Sequence, residues 1–378
     1  MLIALVGGIF GKRGVLRATL QMTPEIVLEN GIRESGHSVD TFGHHDPIDY
    51  DRYEIVHVHH FALGALRAAS ASGMFKFVYT SHDGQSLCGL NSGQLRIRGN
   101  RYVMARADAV VALSEEEATF QRMTYDLEGV FHQVIPNGIN PSYYWYERLN
   151  KKGMDGPWRL LYVGQLISLK NVEVLLKAVS MIPIPAEVEL IYQVDTLRDQ
   201  LQALAGKLGL GDRVLFTGPI PSGDLCRKYQ SADALVLPSS AESLPSVVTE
   251  AMVCGTPVIS SDVGGVRSQI GPFGILVPPQ SAERLAEAIV FLFRDYDRFE
   301  REGKRMSEHA RERFSMERMI QSHIDLYKAL PVRLPRRRGR QGIVPSRWVN
   351  WGAEWQCRMK LSGSLKSTNG RPRRSGAA

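Results

Sequence analysis

No stretch of this sequence approaches the roughly 18 consecutive apolar residues of a membrane-spanning helix, so the chain is expected to be soluble or peripheral. Cysteine is scarce. Cys88, Cys226, Cys254 and Cys357 lie far apart and form no C-x-x-C pair, which speaks against a disulfide framework and a zinc finger and suits a reducing cytoplasm. The apolar start, Met1 to Phe10, lacks the preceding positive charges and the cleavage site of a signal peptide, because Lys12 and Arg13 come after it. It reads as a buried first strand. The glycine-rich run Gly7-Gly8-Ile9-Phe10-Gly11-Lys12-Arg13-Gly14 that follows is neither a dinucleotide fingerprint nor a P-loop, since Arg13 stands where Ser or Thr is required. Basic charge is also missing from most of the chain. The formal net charge is +7, but Pro331 to Ala378 alone carry +11, which leaves residues 1 to 330 at about −4. An electrostatic argument for nucleic acid therefore concerns the tail only, and nucleic acid is not the expected partner.

What is present is a rhythm. With 378 residues, 44% of them hydrophobic, the chain can build two domains with separate cores. Short β-branched runs at 2–6, 38–42, 54–58, 75–80, 109–113 and 133–135 alternate with amphipathic stretches such as 25–34. From Pro136 to Pro157 the periodicity stops and Pro, Asn, Gly and aromatic residues take over. It restarts with strands at 159–163, 187–192, 213–216, 234–237, 257–260 and 274–277, helices at 195–208 and 282–293, and a closing amphipathic stretch at 316–330. This pattern predicts an α/β chain of two Rossmann-like, doubly wound domains facing a cleft. The division is 1–140 for the first domain, 141–157 for a linker, 158–315 for the second domain, 316–330 for a closing helix and 331–378 for a basic, disordered tail. Ligands of such sheets sit beyond the carboxyl ends of the strands, so the loops there are the place to look for chemistry.

Three such loops carry it. Pro238 to Ile270 holds Glu242 in a loop and, after seven residues, Glu250 in a helix opening near Pro245, with Gly255 as a C-terminal cap and a Gly264-Gly265 turn. Carboxylates accept strong hydrogen bonds from sugar hydroxyls, and free amides around Leu244, Ser246 and Val247 at the helix opening suit a diphosphate. Tyr162 to Asn171 runs from a strand through Gly164 and Gln165 to Lys170, a glycine for close approach and an ammonium for a leaving phosphate. Tyr79-Thr80-Ser81-His82-Asp83 ends a strand of the first domain. His57 and His59 of H-V-H-H share a strand face, but no neighbouring acid or cysteine joins them, so a polar lining is expected there and no metal.

Glu242, Glu250 and the continuation Ala251-Met252-Val253-Cys254-Gly255-Thr256-Pro257-Val258-Ile259 resemble the donor site of the family 4 retaining glycosyltransferases of GT-B fold. The likeness extends over residues 1–330 through Gly36-His37-Ser38-Val39, Ile135-Pro136-Asn137-Gly138-Ile139-Asn140 and Arg213 to Gly218. It implies a metal-independent hexosyltransferase without a cofactor, whose partners are a nucleoside-diphosphate sugar, UDP before GDP, and a glycan or glycolipid acceptor. Glu250 would hold the ribose, Glu242 the transferred sugar, Lys170 the diphosphate, and His82 would lie beside the sugar. Lys12 and Arg13 would stand near the diphosphate and acceptor. Two departures stand out: Gln165 replaces the family's usual Arg, and Gln193-Val194-Asp195 replaces a G-x-G. The tail, with Arg336-Arg337-Arg338 and Trp348, Trp351 and Trp355 on one helical face, could dock on anionic lipid, as a lipid-linked acceptor would suit. The alternatives are a GT-B sugar-nucleotide epimerase and a degenerate scaffold that binds membrane or nucleic acid through the tail.

Overall fold

The structure, a computed structural model, describes residues 1–11, 23–89, 93–149 and 157–331. Lys12, Arg13 and the tail from 332 onward fall outside them. Met1 to Pro335 form one compact unit. Its first part contains β1 (Leu2–Val6), α1 (Pro24–Glu34), β2 (Ser38–Phe42), β3 (Ile55–His59), α2 (Leu63–Ser70), β4 (Lys76–Thr80), α3 (Gly84–Leu87), α4 (Gly93–Met104), β5 (Ala109–Ala112), α5 (Glu115–Thr124) and β6 (Phe131–Val134). The second contains β7 (Trp158–Val163), α6 (Val172–Met181), β8 (Ala186–Ile191), α7 (Arg198–Lys207), β9 (Val214–Gly218), α8 (Ser222–Ser231), β10 (Ala234–Leu237), α9 (Ser246–Cys254), β11 (Val258–Ser261), α10 (Val266–Ile270), β12 (Ile275–Val277), α11 (Ala282–Arg294) and α12 (Tyr296–Arg313). The closing helix is α13 (Met316–Ala329).

Both sheets are six-stranded and parallel, as the strand rhythm predicts. Every residue of β3, β5, β10 and β11 is buried, the mark of strands covered by helices on both faces. The orders are β2-β1-β3-β4-β5-β6 and β12-β11-β10-β7-β8-β9. Winding therefore reverses between β1 and β3 in one sheet and between β7 and β10 in the other, the crevices at which sheets of this kind take ligands.

Helix α13 does not pack on the sheet that precedes it in sequence. Its Met319, Ile320, Ile324 and Tyr327 join Ile3, Leu5 and Val78 in the first sheet's core, and Tyr327 Oη lies 2.7 Å from His57 Nδ1. Ile320 presses so closely on α1 that a Cβ on Gly31 would stand 2.0 Å from its Cδ1. The chain thus crosses between the sheets twice, and the crossings run side by side: Ile139 N donates to Phe314 O at 2.8 Å. A Cβ on Gly138 would lie 2.7 Å from Met316 Cα, so the crossing admits no side chain there.

Candidate active site

The loops after β7 and β10, the two strands at the second switch point, are laced together. Ser240 N donates to Leu169 O at 2.9 Å, and Asn171 Nδ2 donates to Ser240 Oγ at 2.9 Å. Asn171 has φ +56°, a left-handed conformation that asparagine tolerates, and it turns the chain from the short helical turn Ser168–Lys170 into α6. The result is a pair: Lys170 Nζ donates to Glu242 Oε1 at 2.5 Å, and Ser239 Oγ donates to the same oxygen at 2.6 Å. Both side chains are largely withdrawn from water, 20% exposed for Lys170 and 9% for Glu242. Gly164 approaches the Tyr162 ring, whose hydroxyl donates to Gln165 O at 2.8 Å, and the Gln165 side chain is exposed. The loop's far side is pinned by Leu166 N to Val194 O at 2.7 Å, within the segment that departs from the family's glycines.

Helix α9 opens at Pro245, with Leu244 buried and Ser246 and Val247 half-buried, and closes on Gly255 at φ +78°. Glu250, on its second turn, is 8% exposed and accepts from Tyr229 Oη at 2.8 Å. Burial raises its pKa to about 7, against the opposing pull of hydrogen bonds from Tyr229 and Tyr144. It borders a small pocket with Ser246, Thr249, Tyr144 and the first crossing segment, Asn137 to Asn140. Glu242 and Glu250 thus have separate sets of partners, one polar and charged, the other phenolic.

The first sheet contributes from β4. His82, half-buried at φ +48°, turns back so that its Nε2 lies 3.1 Å from His59 Nδ1, and the His60 ring stacks on it at 4.2 Å. His60 Nε2 in turn lies 3.0 Å from Glu25 Oε1. Burial alone would raise the Glu25 pKa, but the hydrogen bond from His60 and attraction to the neighbouring imidazoles bring it down to about 2. Burial first, then neighbouring imidazoles, hold His59 well below the usual histidine range; for His82 burial and His60 do the same. His57 is otherwise engaged, between Thr80 and Tyr327. The sequence reading found no acid beside H-V-H-H; Glu25 supplies one, brought from α1 by the fold.

The two parts meet at the loop that holds Glu242. A Cβ on Gly84 would be 2.5 Å from Glu242 C, and one on Gly264 would be 1.8 Å from Glu242 O. Ser243 Oγ donates to Glu117 Oε2 at 2.6 Å. Glu117 also accepts from Leu113 N and from Ser81 Oγ, next to His82, and is 1% exposed. It was not anticipated as a site residue. Its signal was Ser114-x-x-Glu117, the capping-box spacing, with Ser114 Oγ accepting from Glu117 N at 3.1 Å.

Two family models tile this arrangement: Glycosyltransferase Family 4 over residues 31–143 and Glycosyl transferases group 1 over residues 147–313. The chain belongs to the family 4 glycosyltransferases. Among similar proteins of this glycosyltransferase is a D-inositol 3-phosphate glycosyltransferase of Frankia alni, 29% identical over 280 residues, which are 64% of this chain and 66% of that one. The match thus spans just under two thirds of that relative. Sucrose-phosphate synthase from Thermosynechococcus elongatus shares the fold with a TM-score of 0.75 at 24% identity, over 87% of this chain and 98% of that one. Anabaena Alr3699/HepE, solved in complex with UDP-glucose, shares it with a TM-score of 0.71 at 20% identity, over 87% and 100%. Both confirm the GT-B fold of this glycosyltransferase, and among its described residues no helix is long and apolar enough to cross a membrane.

Proposed function

We propose that this glycosyltransferase moves a hexosyl group from a nucleoside-diphosphate sugar, UDP-linked before GDP-linked, to a glycan or lipid-linked acceptor with retention of anomeric configuration. The observation that carries the reading is the Lys170–Glu242 pair at the switch point of the second sheet. An ammonium held at the end of β7 is placed to take up negative charge as a diphosphate leaves, and the amides opening α9 around Leu244, Ser246 and Val247 add to it without a metal ion. In this reading Glu242 accepts from hydroxyls of the transferred sugar, and Gly164 and Gln165 line the diphosphate. The pocket of Glu250, Tyr144 and Asn137 to Asn140 is the place for the nucleoside, with the Glu250 carboxylate accepting from the ribose. His82 faces the sugar from the first sheet, where the acceptor binds. No carboxylate stands out as a nucleophile, so departure and attack occur on one face of the sugar. The uridine preference draws on the UDP-glucose bound by the fold relative from Anabaena.

The test is a thermal-shift panel of UDP, GDP, ADP and their sugar conjugates, without metal, on the wild type and Glu250→Ala. A nucleotide at 100 times its Kd adds about 2.7 kcal/mol, a shift of several degrees. One nucleotide class should stabilise the wild type and lose its effect in the variant. Equal shifts in both proteins would remove Glu250 from the site, and no shift with any nucleotide would sink the donor assignment.

A further inference from the structure

Among the described residues, Glu25, His59 and His82 each bring one ligand atom to within 4.8 Å of the other two. They come from three elements, the first turn of α1, the last residue of β3 and the residue two beyond β4, and nothing in the transfer chemistry requires them to converge. We infer that Glu25, His59 and His82 form a binding site for a divalent transition-metal ion, zinc by the donor set, separate from the pocket that Glu250 borders.

Two imidazoles and one carboxylate are a common three-residue set for zinc with an open fourth position. His59 Nδ1 and His82 Nε2 are 3.1 Å apart. Two nitrogens sharing a tetrahedral zinc ion at its usual bond lengths sit about 3.3 Å from each other, so the pair can exchange a shared proton for a shared ion with little movement. The second ring nitrogen of His59, Nε2, is buried and has no hydrogen-bond partner among the described residues. Buried polar atoms are rarely left so. Two of the three ligands, His59 and His82, also border a small cavity with Thr80, Asn137, Met319 and His323, with space for about one water-sized guest. His60, bonded to Glu25 and stacked on His82, orients two of the three ligands from outside, as outer hydrogen bonds do in metal sites. The set holds one carboxylate and no thiolate, which disfavours calcium and magnesium as well as copper(I). An ion there would engage His82, so on the proposed function zinc and sugar transfer compete; the binding itself does not depend on that reading.

The experiment is calorimetric titration of the metal-free full-length chain with zinc chloride, with cobalt(II) absorption on the same protein. The expected result is one ion per chain with micromolar or tighter affinity, intense visible cobalt bands bleached by zinc, and at least tenfold weaker binding in Glu25→Gln and in His59→Asn. A Tyr-based near-ultraviolet dichroism spectrum establishes that each variant is folded. Should a variant unfold, zinc protection of the half-buried His82 against diethyl pyrocarbonate, mapped by peptide mass in the wild type, decides. Absence of stoichiometric binding, unchanged affinity in both folded variants, or His82 modified equally with and without zinc would overturn the site.

Discussion

At the scale of single residues, a lysine and a glutamate locked 2.5 Å apart and mostly out of water cannot be altered one at a time without consequence. Removing the ammonium in Lys170→Ala leaves Glu242 with Ser239 as its remaining side-chain donor among the described residues, in a site poor in water, a costly arrangement for an ionised carboxylate. We expect kcat/KM to fall by roughly 100-fold or more, the size typical of losing one charge-stabilising donor. Turnover unchanged by the substitution would make Lys170 a structural partner only. Glu250 offers a pH experiment. Its pKa is 4.5 as a free side chain and about 7 here, so between those values the folded chain keeps a proton that the unfolded chain has lost. Stability from this group is therefore fully present below pH 4.5 and is lost as pH rises through 7, by as much as about 3 kcal/mol. Denaturant unfolding at pH 5 and pH 8 should show a smaller decline in Glu250→Gln than in the wild type, and equal declines would refute the buried-acid account.

At the scale of elements, the turn between β11 and α10 has the least slack. Gly264 sits at φ +54° with the Glu242 carbonyl where a side chain would begin, 1.8 Å from an ideal Cβ. Gly264→Ala must displace the Glu242 loop; overpacking of this kind costs about 1–3 kcal/mol. A lowered melting temperature together with weaker nucleotide binding is the expected result, and a variant indistinguishable from wild type in both would show that the loop gives way freely. The strands were legible in sequence because buried parallel strands are near-continuous β-branched runs, as in Val110-Val111 and Val258-Ile259. Helices 25–34, 282–293 and 316–330 were legible from their apolar stripes and lie within a residue of α1, α11 and α13. Helix α12 was not singled out: its 18 residues are crowded with charge, and its buried Tyr296, Phe299, Gly303, Met306 and Ala310 are sparse enough to hide in it.

For the molecule as a whole, what the sequence could not express is proximity. Glu242, Glu250, Lys170 and His82 were open to proposal from sequence because each lies in a continuous motif at a strand end or helix opening. Glu117 was not, because its importance comes from Ser243, 126 positions away, and in sequence it is merely the last of three glutamates. Glu25 stands 35 positions before His60, and no local spacing announces their meeting. The side-by-side crossings at Ile139 and Phe314 also say how this molecule can be taken apart. The second sheet and its helices are an insertion, one continuous piece of chain entered and left at adjoining points, so a gene fragment can encode it directly. The first sheet is a split fold whose last helix, α13, arrives only after the insertion is finished. During synthesis it must wait for that helix to cover α1, and in the laboratory it could be rebuilt by joining Gly138 to Met316, which already touch, with no linker to span a gap.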